Sequence, residues 1–289
     1  MRAPTMLVWL AFAGCGRLDF DPFDGPADGR TDGPSDAPVC GPWSAPVFVP
    51  ELSSSERDYG PSLSADGLSI IVQSDRDMMG NELYEATRPS AADPFGAPVR
   101  LVSLSSIAHD EGPTLSPDGL TLYFTSNRAN GFRLYVATRA DRAAAFDPPQ
   151  LVAAAATYQI LGPSLSDDGL ELFATINYPA NDLGRITDLD QPMATLHILS
   201  ELNTAQTEGF PSISHDALTL FWEGNGGNDI FTADRPDRMS PFGPSRVISE
   251  LSSTDYDGDP EISYDGRSMW FSSDRRGSAD IFTATRDCR

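Results

Sequence analysis

The sequence predicts an all-β fold, a five-bladed β-propeller whose last blade is closed by an N-terminal strand. A short string recurs five times at spacings of 48 to 52 residues, which is the size of a four-stranded blade. The first four repeats each divide into four short strands. In addition, a strand-like segment precedes the first repeat, and the last repeat ends after only three strands.

The recurring string begins with proline and ends at a tight turn. Its copies are residues 61–67 (PSLSADG), 113–119 (PTLSPDG), 163–169 (PSLSDDG), 211–217 (PSISHDA) and 260–266 (PEISYDG). Asp-Gly between apolar runs is a strong hairpin signal, because a tight turn needs a positive φ and glycine supplies it. Each copy therefore marks the hairpin between the first two strands of a blade.

Four strands can be followed in the second repeat. Residues 112–116 form the first strand, residues 120–126 (LTLYFTS) an apolar second strand, residues 132–138 the third, and residues 150–154 begin the fourth. In the least regular repeat, the third, residues 186–189 are interpreted as the third strand. No window has a sustained 3.6-residue apolar period, so we expect very little helix.

The two ends of the repeat region complement each other. Residues 46–52 (PVFVPEL) look like an outer strand and should supply the fourth strand of the last blade, which removes open sheet edges. Cys40 lies just before this segment and Cys288 just after the last strand. Closure brings the two together where a linker is missing, so a Cys40–Cys288 disulfide is predicted. Free thiols or intermolecular pairing are the alternatives.

Three second strands end in a common pattern, namely Ser74-Asp75-Arg76, Ser126-Asn127-Arg128 and Ser273-Asp274-Arg275. Together with the repeated proline and the Ser-x-Asp-Gly turn, these segments resemble the WD40-like repeat of TolB-type propellers over about residues 43–287. The resemblance implies a fold in which the Pro-Ser-Leu-Ser strand is innermost. It implies no activity, because propellers host many functions.

The N-terminus is predicted to direct export. Residues 6–13 (MLVWLAFA) are apolar but too short to span a bilayer. Ala13-Gly14-Cys15 resembles the lipobox of bacterial lipoproteins, so residues 1–15 are interpreted as a lipoprotein-type signal peptide with Cys15 lipidated. An ordinary signal peptide is the alternative.

Residues 16–39, rich in Asp, Gly and Pro, are expected to form a disordered tether before a propeller over residues 40–289. The expected location is the bacterial cell envelope, in the periplasm or at the outer membrane, where disulfides persist.

Charge narrows the possible partners. The 20 basic residues, all arginine, stand against 42 acidic ones, for a net charge of −22. Phosphate backbones are repelled by such a chain, so we expect no nucleic acid and no membrane contact except through the lipid anchor. The three histidines have no zinc-ligand spacing, and no phosphate loop or nucleophile elbow is present. We expect a monomer without a cofactor or metal.

Two sets of acidic residues are interpreted as structural. The aspartates of the repeated turns can cap their own turns by accepting a backbone N–H two residues on. They are Asp66, Asp118, Asp168, Asp216 and Asp265, and metal ligation is the less favoured interpretation. Acids before the inner strands should pair with arginines after the second strands, because the start of one antiparallel strand lies beside the end of the next. The expected pairs are Asp58–Arg76, Asp110–Arg128 and Asp257–Arg275.

The third and fourth repeats lack the arginine-bearing end. A repeat that departs from its own pattern can mark a binding site, although drift in a tolerant loop gives the same signal. The candidate binding residues are Tyr178, Glu208, His215, Trp222, Glu223 and Asn225.

Two functions follow from these observations. The first is a non-catalytic, envelope-tethered binding or scaffold protein that presents one propeller face to a protein, peptide or glycan. The alternative is a carbohydrate-active enzyme resembling glycoside hydrolases, with Glu208, Glu223 and Glu261 in the central funnel. Glu261 is expected to be the one acid within an inner strand. Two carboxylates facing each other across the channel at about 5 to 10 Å would favour the enzyme.

Overall fold

The apolar runs between the repeated turns form strands, and the structure, a computed structural model, describes residues 40–78, 80–176 and 181–289. The predicted signal peptide with Cys15, the tether of residues 16–39 and Tyr178 lie outside these residues. Within them, no helix is long and apolar enough to cross a membrane. One 3₁₀ turn, Ala153–Ala155, is the helical element of the described residues.

Each blade is a four-stranded antiparallel sheet. The first contains β2 (Asp58–Leu63), β3 (Ser69–Ser74), β4 (Glu82–Thr87) and β5 (Val99–Arg100). The second contains β6 (Asp110–Leu115), β7 (Thr121–Ser126), β8 (Arg133–Thr138) and β9 (Gln150–Leu151). The third contains β10 (Leu161–Leu165), β11 (Leu172–Ile176), β12 (Asp182–Thr187) and β13 (Thr195–Ile198). The fourth contains β14 (Gly209–Ile213), β15 (Thr219–Gly224), β16 (Asp229–Asp234) and β17 (Arg246–Val247).

The fifth blade confirms the predicted closure. Its strands are β18 (Asp257–Ile262), β19 (Ser268–Ser273), β20 (Asp280–Thr285) and the N-terminal β1 (Val47–Phe48). In β1, Val47 lies opposite Thr283, and the strands run antiparallel. The predicted disulfide is present, with 4.0 Å between the Cα atoms of Cys40 and Cys288. The fold is therefore the predicted five-bladed propeller.

The core lies between neighbouring blades. All six residues of β3 are buried, since the blades on both sides cover it. Ile71 and Leu83 of the first blade, for example, pack with Leu122 and Phe124 of the second. The innermost strands β2, β6, β10, β14 and β18 line a central channel.

The two ends of the channel carry different segments. We call the end with the Ser-x-Asp-Gly turns the turn face. There, each of the five turn aspartates accepts the backbone N–H two residues on, as predicted for a scaffold role. We call the opposite end the loop face. It carries the loops between the second and third strands and the segments that enter the inner strands.

Two details of the sequence interpretation were wrong. The third strand of the third blade is Asp182–Thr187, earlier than residues 186–189, because it pairs along the whole of β11. The inner strands also begin before the repeated proline, so Asp257 and Asp259 lie within β18 beside Glu261. Glu261 is therefore not the one acid of an inner strand.

Candidate functional site

On the loop face, three blades share the same ion pair, which we call the acid–arginine pair. The acid is the first residue of the inner strand, and the arginine follows the second strand. The pairs are Arg76–Asp58 at 2.6 Å, Arg128–Asp110 at 2.5 Å and Arg275–Asp257 at 2.5 Å. All three were predicted from the sequence. Since each acid is fully buried or nearly so, the pair is a structural part of its blade.

Each arginine makes the same set of contacts. Arg128, for example, also donates to the Leu104 carbonyl at 2.7 Å and lies over the ring of Tyr135 at 5.0 Å. The other oxygen of Asp110 accepts the N–H and the hydroxyl of Ser106, four residues earlier. A buried carboxylate, a leucine carbonyl and an aromatic face therefore define one guanidinium position in each of these blades.

The fourth blade keeps the acid and lacks the arginine. Glu208 stands at the position of the aspartates and is 3 % exposed. Its Oε2 accepts the N–H of Thr204 and its Oε1 accepts the hydroxyl, whereas in each aspartate one oxygen accepts both groups. By the register of the repeat, Gly226 stands where the arginines stand. A cavity of about 220 Å³ lies beside Glu208, and we call it the fourth-blade cavity. Its lining includes Leu202, Thr204, Glu208, Trp222, Asn225 and Phe231.

Aromatic rings form one wall of this cavity. Trp222 and Phe231 are stacked, with ring centroids 5.9 Å apart and planes inclined by 19°. Gly224 between them has no side chain, and a Cβ there would lie 2.8 Å from the Phe231 ring. Trp222 is 1 % exposed, so it belongs to the core, and its ring lines the cavity without forming an exposed surface. Asn225 is exposed at the same end, with its amide donating to Asp229.

Glu223 points away from this cavity, because neighbouring residues of a strand face opposite sides. Its position has a repeated structural role. The equivalent Gln73 accepts the N–H of Gly112 at 3.1 Å, and Thr175 accepts the N–H of Phe210 at 2.8 Å. Glu223 likewise accepts the N–H of Asp259 from the next blade. Its carboxylate thus joins the fourth and fifth blades beside the channel.

A tyrosine hydroxyl lies between two acids at this place. The hydroxyl of Tyr256 is 2.8 Å from Glu223 Oε2 and 3.0 Å from Asp259 Oδ2. A phenol has one proton to donate, so the second contact needs a proton on a carboxyl group. Burial and the charge of Asp259 raise the pKa of Glu223 to about 8, and burial raises the pKa of Asp259. One of the two carboxyl groups is therefore protonated at neutral pH.

Glu261 occupies a similar structural position in the fifth blade. Its carboxylate accepts the N–H of Leu63 and the hydroxyl of Ser212, both at 3.1 Å. Elsewhere a serine serves the same purpose, as when Ile213 donates to Ser164 at 3.0 Å. Burial raises the pKa of Glu261 to about 7. Glu261 thus joins the fifth blade to the first.

Two channel residues were missed by the sequence interpretation. Gly60, Gly112 and Gly162 precede the repeated proline with φ near +50°, and Phe210 and Asp259 adopt the same backbone at φ 45° and 49°. This left-handed conformation costs an ordinary side chain about 1 to 2 kcal/mol. Aligning the residue before each repeated proline gives the signal, because only the fourth and fifth repeats lack glycine there.

His215 lies apart from the other candidate residues. It lies in the turn between β14 and β15, on the turn face, where its ring contacts Asp167 and packs against Tyr264 with ring centroids 3.8 Å apart and planes inclined by 36°. The structure therefore brings together Glu208, Trp222 and Asn225 of the predicted patch. Across residues 40–78, 80–176 and 181–289, no group of three His, Cys, Asp or Glu side chains could hold a metal ion.

The five four-stranded sheets around a central channel define the class of fold, a five-bladed β-propeller. No protein-family model matches the sequence, and no curated protein does. Among solved structures, a putative TolB from Agrobacterium tumefaciens is similar at 17% identity and TM-score 0.51, over 81% of this chain and 79% of that one.

Sugar-active propellers are similar to a comparable degree. The α-L-arabinofuranosidase PaAbf62A from Podospora anserina matches at 12% identity and TM-score 0.57, over 88% of this chain and 99% of that one. A thermostable family-43 glycoside hydrolase matches at 11% identity and TM-score 0.54, over 84% and 92%. At such identities the likeness shows the fold alone.

Proposed function

We propose that this chain is an exported, non-catalytic binding protein that presents its loop face, at the fourth blade, to a protein, peptide or glycan. The observation that carries the proposal is the fourth-blade cavity. Three blades close the same place with their own arginine, whereas the fourth leaves a buried acid and two aromatic rings beside an opening. A side chain from another molecule can reach that place.

Binding can be tested by capture from a cell-envelope extract of the source bacterium. Gln206 is exposed and lines the cavity, so Gln206→Trp should cover its mouth. Asp255 holds the same position in the fifth blade, which makes Asp255→Trp the matched control. We expect the extract to yield a ligand that wild type and Asp255→Trp retain and that Gln206→Trp loses. Equal retention by all three proteins excludes the fourth blade as the binding site.

Export and anchoring are part of the same proposal. The Cys40–Cys288 disulfide suits an oxidising compartment, and Cys15 follows a lipobox-like sequence. We expect Cys15→Ala to move the protein from the membrane fraction to the soluble fraction. If fractionation is unchanged, the lipid anchor is wrong, while the binding proposal is unaffected.

A glycoside hydrolase is the second candidate, favoured by the raised pKa of Glu223 and by the sugar-active propellers of similar fold. Through Tyr256, the Glu223 and Asp259 carboxylates lie within about 6 Å, close to the spacing in retaining glycosidases. However, the Tyr256 hydroxyl lies in the space between them. We therefore expect no hydrolysis of aryl glycosides or arabinoxylan. Turnover that Glu223→Gln and Asp259→Asn both abolish would establish the enzyme instead.

A further inference from the structure

We propose that the fourth-blade cavity binds the guanidinium group of an arginine side chain supplied by a partner peptide or protein. This inference rests on the proposed binding function and names its ligand chemistry. The chain supplies its own templates, since the same place in three other blades holds a guanidinium in a repeated geometry.

The templates agree closely with one another. In the three acid–arginine pairs, the guanidinium nitrogen lies 2.5 to 2.6 Å from the acid and 2.6 to 2.8 Å from a leucine carbonyl. The guanidinium carbon lies 4.7 to 5.4 Å from the centroids of one or two aromatic rings. Charge, a hydrogen bond and a ring face therefore act together on one planar cation.

The fourth blade offers the same three groups in the same register. Leu202 precedes Glu208 by six residues, as Leu251 precedes Asp257 and Leu104 precedes Asp110. Both Leu202 and Glu208 line the cavity. Trp222 and Phe231 stand at the strand positions of Phe271 and Phe282, the rings beneath Arg275. Leu202 can thus supply the carbonyl, Glu208 the acid and the two rings the flat wall.

The third and fourth blades differ in a way that supports a ligand. In the third blade, both members of the pair are replaced, with Ile160 at the position of the acid and Tyr178 at that of the arginine. The fourth blade keeps a buried acid that forms no ion pair within the described residues. A buried carboxylate without a cation is costly, whereas a pair lost together leaves no unpaired charge. Retention of Glu208 is therefore explained by a cation from outside.

Arginine fits this place better than lysine does. A guanidinium is flat, stacks on rings and presents several N–H groups in fixed directions, so it can reach an acid and a carbonyl at once. An ammonium is a compact, strongly hydrated point charge that uses a ring wall less well. The net charge of −22 also attracts a cationic ligand over longer distances. The ligand is therefore an arginine-containing peptide or protein segment.

The test uses three peptides and the full chain. Acetyl-Gly-Arg-Gly-amide is titrated into the protein at physiological salt and followed by NMR, beside the same peptide with lysine or with citrulline. Citrulline has nearly the shape of arginine but carries no charge. We expect the arginine peptide to bind most tightly, the lysine peptide at least several-fold more weakly, and the citrulline peptide not measurably.

Protein variants locate the site. Glu208→Gln should weaken binding of the arginine peptide by at least tenfold, because the charge-assisted hydrogen bond is lost. Glu250→Gln removes an exposed acid elsewhere and should bind like wild type. If Glu208→Gln does not fold, Gln206→Trp tests the same cavity with Glu208 intact.

The possible outcomes are separable. Equal binding of the arginine and citrulline peptides overturns a guanidinium site. Equal binding by wild type, Glu208→Gln and Gln206→Trp overturns the cavity as its location. If no arginine peptide binds while capture from extract still depends on Gln206, the ligand chemistry is wrong and the proposed function stands. If neither experiment depends on the cavity, both proposals fail.

Discussion

The fourth and fifth blades come from the same repeat, yet they are completed in opposite ways. The fifth blade borrows its outer strand from the N-terminus and fills its guanidinium position with its own Arg275. The fourth blade has four consecutive strands and leaves the same position as a cavity beside Glu208. The fifth blade therefore closes both the ring and its own guanidinium position. The fourth blade leaves open the guanidinium position that an arginine fills in three other blades.

Removing the disulfide should have the largest effect and should act on the fifth blade. Cys40 and Cys288 are 248 residues apart in the chain, and the chain-entropy model assigns a loop of that size about 5 kcal/mol. We expect Cys40→Ser to lower the melting temperature clearly and to speed hydrogen exchange in residues 47–48. The four strands of the fourth blade are consecutive in the chain, so its backbone amides should exchange at the wild-type rates under native conditions. A variant that melts like wild type would show that strand pairing alone closes the ring.

The second largest effect is expected when the buried acids Asp257 and Glu208 are neutralised, because the two substitutions should change the stability of the protein differently. Asp257→Asn leaves Arg275 without its anion, and breaking a buried pair costs about 3 to 5 kcal/mol. Glu208→Gln removes an acid that forms no ion pair among the residues the structure describes, so its melting temperature should stay the same or rise. Thermal unfolding of both variants measures the difference. A comparable loss in both would show that Glu208 stabilises the free protein as much as Asp257 does, which contradicts the proposed difference between the blades.

The smallest expected effect is on the pH dependence of stability, and it comes from Glu223 at the contact between the fourth and fifth blades. The pKa of Glu223 is raised to about 8, so the folded chain keeps a proton that the unfolded chain releases at a carboxyl pKa of about 4.3. Stability is therefore lost as pH rises from about 4 to about 8. Glu223→Gln copies Gln73 of the first blade and removes part of this loss.

We expect Glu223→Gln to melt a few degrees above wild type at about pH 8 and close to wild type at about pH 5. Melting curves recorded across this range provide the measurement, with the exposed-acid variant Glu250→Gln as control. An identical pH slope in wild type and Glu223→Gln would show that Glu223 is ionised in the folded protein.

Sequence reasoning was reliable where a feature recurs. Five turns in register predicted five blades, and the antiparallel relation of Asp257 and Arg275 predicted their ion pair. It failed where side-chain direction mattered. Trp222 and Glu223 are neighbours in the chain, which predicts one patch, but Trp222 lines the fourth-blade cavity and Glu223 faces the fifth blade. His215 was grouped with them although a whole strand separates it from the loop face.

The missed residues have a physical explanation too. Strand limits were drawn at the repeated proline, but the inner strands begin three residues earlier, so Asp259 was left outside. Asp259 also has a left-handed backbone conformation, and strand residues are not expected to have a positive φ, so sequence patterns do not place it in a strand. Proton sharing through Tyr256 depends on contacts between distant segments, which no local pattern contains.

The position of the Cys40–Cys288 bond has a consequence for the order of the chain. It stands where other blades have a peptide linker, so the backbone and the disulfide together form a covalent ring around the channel. The junction between Cys288 and Cys40 is then one of five comparable junctions between blades. A circular permutant that joins the old ends by peptide and opens new ones in the linker of residues 88–98 keeps every strand pairing. The choice of which blade comes first in the chain is therefore independent of the arrangement of the blades around the channel.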